Sequence, residues 1–164
     1  MDNAWYFVTA STLNKTHILA TPAHLNLWVQ TLKTLALEFK IVLAAWTILQ
    51  NHYHILFMPA AGRDLSAFMK RLHGITSRQL NLLDNQQGRK VWYSYWDTCI
   101  RGEHDFWTRL NYIHYNPVKH GYVGNPEDWE YSSYRFYLRG NDNGWLKACE
   151  QEYPVQSLFD DDKF

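Results

Sequence analysis

The chain has 164 residues, 46% of them hydrophobic and 16% aromatic, and its 16 basic side chains are balanced by 16 acidic ones. That length suits one domain with a sizeable core, and the composition excludes wholesale disorder. The net charge of zero gives no sign of a nucleic-acid binder until it is divided along the chain: residues 63–101 carry seven positive and three negative charges, residues 125–164 four and nine.

The segment Trp5–Ala10 is aromatic and β-branched and reads as a strand. Thr21-Pro22 is a helix start, and Leu25, Trp28, Val29, Leu32 and Leu35 recur at helical spacing as far as about Phe39. Ile41–Leu49 and His52–Met58 read as two strands, joined through Gln50-Asn51 into a central antiparallel hairpin. A second helix opens at Arg63-Asp64, buries Leu65, Phe68, Met69 and Leu72, and runs past Gly74 to about Leu83. Asp84–Lys90 is a loop, and Tyr95–Arg101 a short strand. Glu103–Tyr115 forms a third helix that Pro117 ends or kinks. A helical turn is expected near Ser132–Leu138, and residues 141–164, ending Asp160-Asp161-Asp162, read as a peripheral acidic tail on a domain spanning residues 1–140.

The order β-α-β-β-α-β-α predicts an α+β fold, a ferredoxin-like split β-α-β antiparallel sheet with an extra C-terminal helix on its second face. The longest apolar stretch, Ile41–Trp46, is far short of the roughly 20 residues of a membrane span. Asp2 is followed by no basic run leading into an apolar one, so no secretory signal is expected. Cys99 and Cys149, fifty positions apart, form no CxxC pair, so cytoplasmic localisation is expected.

Two groups of residues carry chemistry. His52-Tyr53-His54 lies in a strand, so its two imidazoles share one face, where they suit a divalent metal as well as they suit two hydrogen-bonded structural histidines. The apolar flanks on both sides make charged imidazoles costly there unless something uses them. In the string beginning at Asn111, Tyr112 and Asn116 stand one helical turn apart. From spacing alone Tyr112 reads first as a core aromatic, and Asn116 before Pro117 reads first as a cap.

Four blocks carry a resemblance: Trp46–His54, Trp92–Asp97, the Tyr112–Val123 string with its Asn116-Pro-Val-Lys119, and Glu127–Tyr134. Their order and spacing resemble the REP-associated tyrosine transposases, single-tyrosine members of the His-hydrophobic-His transposases, over Trp5 to Tyr137. The resemblance implies Tyr112 as nucleophile rather than Tyr115. It implies His52, His54 and Asn116 as ligands of Mg²⁺ or Mn²⁺, with His114 the competitor for the third position. It also implies single-stranded DNA bearing hairpins as substrate, a covalent 5′-phosphotyrosine with a free 3′-OH, no nucleotide cofactor, and a monomer or homodimer.

Lys70, Arg71, Arg78 and Lys119 are candidate phosphate contacts, and Trp92 and Tyr95, with Tyr93 and Trp96, candidate stacking partners. The basic stretch is expected to line a groove beside the catalytic pocket, and the Tyr112 hydroxyl to face the histidines, partly open to solvent. The alternative reading is a non-catalytic hairpin-binding regulatory module, whose mark would be loss of Tyr112 or a histidine. A metal-binding domain unrelated to DNA stands as a third.

Overall fold

The computed structural model describes residues 3–140 and 143–155. Its elements are β1 (Tyr6–Thr12), α1 (Pro22–Glu38), β2 (Val42–Ile48), β3 (His52–Met58), α2 (Asp64–Leu83), β4 (Trp92–Cys99), α3 (Glu103–Lys119), α4 (Tyr134–Gly140) and α5 (Asn143–Glu152). The four strands form one antiparallel sheet in the order β2-β3-β1-β4, the strand order of the ferredoxin-like fold.

Strand alternation divides the core in two. On one face Val8, Ala10, Tyr53, Ile55 and Phe57 pack against Trp28 and Leu32 of α1 and Phe68, Met69 and Leu72 of α2. On the other, Phe7, Ala45 and Leu56 pack against Leu110, Tyr112 and Ile113 of α3. The start of α1 is fixed locally. The Thr21 hydroxyl accepts from His24 N at 3.4 Å and the His24 ring accepts from Thr21 N at 3.2 Å, a reciprocal capping box closed by a histidine.

Four expectations change. The β2–β3 hairpin is not central as a pair: β3 and β1 occupy the middle and β2 lies at an edge. Residues 131–133 cover that edge, Ile48 N donating to Tyr131 O at 3.0 Å and Ser133 N to Trp46 O at 2.9 Å. Secondly, β4 begins at Trp92, because that side chain completes the α2-side core and donates from Nε1 to Thr76 Oγ1 at 2.9 Å.

Thirdly, α3 continues through Pro117 to Lys119. A proline this close to the helix end removes one backbone bond and no more. The real stop is Gly121, at φ 73°, where Gly121 N donates to Val118 O at 3.0 Å and Tyr122 N to Pro117 O at 2.9 Å. Asn116 therefore lies inside the helix and caps nothing.

Fourthly, the segment after Gly140 is not wholly peripheral. Leu146 and Cys149 of α5 are buried, and the Asn111 amide of α3 donates to Cys149 O and Tyr153 O, both at 3.0 Å. Hydrophobic side chains spaced along one side of α5 give the segment a docking face that its acidic composition hid. The acidic end, Asp160 to Asp162, lies outside the described residues. Among the described residues no helix is long and apolar enough to cross a membrane.

Asn111→Ala removes the side-chain hydrogen bonds to Cys149 O and Tyr153 O, of which Cys149 O keeps its bond from Tyr153 N, and is expected to lower stability by about 1–2 kcal/mol in urea melts. Amide exchange in residues 143–155 should quicken more than in the sheet; equal quickening everywhere would show that α5 does not depend on this contact.

Candidate active site

The alternation of β3 puts His52 and His54 on the α3 side of the sheet, with Tyr53 on the opposite side. Each histidine is only 1% exposed, and their ring centroids lie 5.2 Å apart. Each ring is held through Nδ1. His54 Nδ1 is hydrogen-bonded to Thr9 Oγ1 at 2.7 Å across the β1–β3 ladder, and His52 Nδ1 donates to Asn51 Oδ1 at 2.7 Å. The Asn51 amide in turn donates to Lys15 O at 3.2 Å, which ties the turn at Asn14-Lys15, both at positive φ, to the His52 ring. Such contacts set the tautomer and aim of a ligating histidine.

Burial acts first on the protonation of this pair. It pushes His52 down to about 3, with the charge of His120 pushing the same way and the Asn116 hydrogen bond opposing. Burial likewise holds His54 well below the usual histidine range, reinforced by His52 and His120 and opposed again by Asn116. Both rings are therefore neutral near pH 7, the state in which imidazole binds metal.

Asn116 reaches the pair from α3. His52 Nε2 and Asn116 Oδ1 face each other at 3.0 Å. A neutral imidazole carries one proton, and the shorter contact assigns it to Nδ1. In that tautomer Nε2 turns a lone pair toward Asn116 Oδ1, to which only the protonated ring donates, and the two atoms together form a donor set suited to a cation. Two adjacent ligands about 2.1 Å from an octahedral Mg²⁺ lie about 3.0 Å apart, so the observed separation fits. Asn116 Nδ2 is buried without a hydrogen-bond partner among the described residues. Among those residues no three His, Cys, Asp or Glu side chains converge to hold a metal by themselves. Imidazole with amide oxygen suits a divalent ion of the Mg²⁺ or Mn²⁺ kind.

One turn earlier, Tyr112 lies edge-on to His54 at 5.3 Å and to Phe7 at 6.1 Å. It is 3% exposed, so the expected partial opening to solvent is absent. Lys119 closes over it, with Nζ 5.3 Å from the ring centroid. Tyr115 is exposed, on another side of the helix. His114 turns away from the pair: its Nε2 is hydrogen-bonded to Ser133 Oγ at 2.7 Å, and its ring lies 5.4 Å from Tyr134 and 5.2 Å from Tyr137. The structure thus gathers His52, His54, Tyr112, Asn116 and Lys119 and leaves His114 out.

The expected basic groove is not beside this site. Lys70, Arg71 and Arg78 lie on α2, which covers the opposite face of the sheet, and Arg71 Nη1 is paired with Glu38 at 2.9 Å. Trp92 is buried, stacked on His73 at 5.1 Å, and Tyr95 is half-buried against the same core, so neither offers a free face to a base. Residue order alone could not say which sheet face each would take.

Three contributors went unassigned in the sequence. Asn51 lies within the Trp46–His54 string, and His120, 4.7 Å from His52, directly follows Lys119. Thr9 carries no local signal, because only the ladder brings it to His54 from 45 positions away.

Similarity to known proteins extends over most of the chain. The family model "Transposase IS200 like" matches residues 1–116. A Haemophilus influenzae protein described as a REP-associated tyrosine transposase is 30% identical over 139 residues, 79% of this chain and 78% of that protein. The Escherichia coli K12 REP-associated tyrosine transposase is 30% identical over 91 residues, 55% of this chain and 52% of that protein. A solved REP-associated tyrosine transposase bound to a REP hairpin superposes with a TM-score of 0.71 at 20% identity, over 85% of this chain and 81% of that one, and so shares the fold.

The buried histidines set an acid limit on stability. Burial pushes His52 and His114 down to about 3 and His73 to about 4, whereas unfolded histidines titrate near 6.5. Between those values the unfolded chain binds more protons, so stability is full above about pH 6.5 and falls by about 1.4 kcal/mol per pH unit for each such group as pH drops toward the folded values. Urea melts at pH 7 and pH 5 should show a large loss, and a flat profile would contradict the buried neutral state.

Proposed function

This chain belongs to the IS200-like transposases, among the REP-associated tyrosine transposases, and we propose on that premise that it nicks and rejoins single-stranded DNA at hairpin-bearing sites through Tyr112. The observation that carries this reading is the confrontation of His52 Nε2 with Asn116 Oδ1 at 3.0 Å, one helical turn from Tyr112 and beside His54.

His52, His54 and Asn116 are the residues that would hold a divalent cation, Mg²⁺ or Mn²⁺. Such an ion, when bound, supplies Lewis-acid polarisation of a phosphate oxygen and offsets the charge of the transition state. Burial keeps both imidazoles neutral, and Thr9 and Asn51 aim them, so the two rings need no reorientation as substrate arrives. Tyr112 attacks the scissile phosphorus in line with the leaving 3′ oxygen. The phenol's proton passes to water, the new tyrosine O–P bond replaces the broken P–O3′ bond to leave a 5′-phosphotyrosine, and the departing 3′ oxygen takes up a proton from water as it leaves as 3′-OH. Attack by that or another 3′-OH on the phosphotyrosine reverses the step, so cleavage and joining use one site and need no nucleotide cofactor.

Lys119 Nζ, 5.3 Å from the Tyr112 ring centroid, is the cation placed to meet a phosphate once DNA enters. Burial lowers its proton affinity. Because Tyr112 is buried in this structure, the DNA must displace the Lys119 side chain or shift α3 before attack.

The decisive experiment incubates the protein and hairpin-bearing single-stranded DNA with and without Mn²⁺ and looks for a covalent adduct on a denaturing gel. Wild type should form one only with metal. Tyr112→Phe should fold, bind the hairpin and form none, whereas Tyr115→Phe should behave as wild type. An adduct that survives in Tyr112→Phe would overturn the mechanism, and its absence from wild type would favour a non-catalytic hairpin-binding module.

A charge series gives an independent check on the DNA-binding face. Lys119→Ala should weaken hairpin binding several-fold and flatten its salt dependence. Lys70→Ala and Arg78→Ala, on the far face, should leave affinity within about twofold. The reverse pattern would put the DNA against α2.

A further inference from the structure

The outer face of the α1–α2 pair, across the sheet from the histidines, carries a groove that the candidate active site does not use. Contacts between the two helices run antiparallel: His24 Nε2 meets Asp84 Oδ1 at 2.7 Å, the Thr31 hydroxyl donates to Gln79 Oε1 at 3.3 Å, and Arg71 Nη1 pairs with Glu38 at 2.9 Å. Held at these points, the groove is formed before anything enters it. Its floor is Leu27, Leu35 and Ile75, with Leu82 and Leu83 exposed at one end and Phe39 and Ala67 at the other. From Ala67 to Leu83 it runs about 24 Å along α2, or roughly four helical turns.

The two walls differ. On α1 the wall is formed by Gln30 and Thr34, both uncharged. On α2, Lys70, Gly74 and Arg78 follow one another at i, i+4 and i+8, so two cations stand on one stripe with a gap between them. Both cations are exposed, and among the described residues neither enters an ion pair. Glycine is a poor residue for the middle of a helix, and a Cβ at Gly74 would meet nothing within 4 Å, so packing within the fold gives no reason for it. What it leaves is a notch in the cationic wall where another backbone can come close. Adjacent leucines in water at the end of such a groove mark a surface that something covers.

We propose that this groove docks an acidic amphipathic helix of a partner protein. The apolar face of that helix lies on Leu27, Ile75, Leu82 and Leu83, its carboxylates run along Lys70 and Arg78, and its backbone passes closest at Gly74. A groove between two antiparallel helices accepts a third helix by the ordinary rules of helix packing and of helix-in-groove recognition. Charge on one wall alone fixes which flank of the incoming helix is acidic. The apolar floor offers nothing to a phosphate chain, and a concave surface cannot lay its leucines into a bilayer. Because the groove and Tyr112 lie on opposite sides of the sheet, a partner and DNA can be held at once.

The test uses a fluorescein-labelled peptide of about 16 residues, matched to the groove length. It carries leucine at i, i+3, i+4 and i+7 and glutamate at most other positions; in its control every glutamate is lysine. By fluorescence anisotropy, wild type should bind the acidic peptide at least about tenfold more tightly than the basic one. Gly74→Leu, which fills the notch without touching the fold, should lower that affinity about tenfold while melting no lower than wild type. Arg78→Glu should weaken the acidic peptide about tenfold and strengthen the basic one. Hairpin DNA should not displace the peptide. Equal binding of the two peptides, or a Gly74→Leu variant that binds as wild type does, would overturn the proposal. Displacement by hairpin DNA would make this a nucleic-acid surface, and a wild-type dimer in sedimentation that Leu82→Ser with Leu83→Ser dissolves would assign the groove to a second copy of the chain; either result overturns it too.

Discussion

Two neutral imidazoles buried side by side on β3 are the constraint to which the rest of the site answers. The strand is buried on both faces, so neither ring can be hydrated and neither can carry a charge without penalty. Each needs a fixed polar partner within reach. Thr9 provides one because β1 runs alongside in register, and Asn51 provides the other because it sits at the hairpin corner beside His52. Once Nδ1 of His52 is committed, its Nε2 lone pair must face the helix above, which is where Asn116 stands.

The position of α3 then has to be right to within a fraction of a turn, and the fold secures it from several sides. Leu110 and Ile113 pack on Phe7 and Leu56. His114, the rival ligand in the sequence, acts instead as a bolt. It is hydrogen-bonded to Ser133, whose hydroxyl accepts from Trp46 N at 3.0 Å and lies 3.3 Å from Trp46 O, so the helix is tied to the β2 edge. Asn111 fastens the opposite side to α5. These contacts explain why a string dense in polar residues can be almost wholly buried: each group points to a different neighbour, and the helix is held by hydrogen bonds as well as by apolar area.

Charge follows the same logic of faces. The basic stretch noted in the sequence is real in composition, yet its helix packs on the far side of the sheet, where Arg71 meets Glu38; in the loop after α2, Arg89 Nη2 meets Asp84 at 2.7 Å. On the site's side the cations that act on the histidines are Lys119 and Lys15, one from α3 and one from the turn after β1. Lys119, partly buried beside the pair, counts for more than a larger surplus spread over a solvated helix, because solvent screens exposed charges, Lys15 among them.

Periodicity and local chemistry determined a great deal on their own. The helix start at Thr21-Pro22, the limits of β3, the antiparallel split β-α-β order and the shared face of His52 and His54 all follow from spacings within a few residues, and the structure has each of them. So does the i, i+4 relation of Tyr112 and Asn116, although the sequence could not tell whether Asn116 was a cap. Tertiary structure decided what depends on contacts between distant segments. It ran α3 past Pro117, because the stop lies at the left-handed Gly121, and sent Trp92 into the core while leaving Trp96 half-exposed. It placed α2 and its cations behind the sheet, and chose Asn116 over His114 as the neighbour of His52. Alternation states which residues share a face; only packing of the whole chain states what that face meets, because the free energy that selects it comes from area buried between segments far apart in sequence.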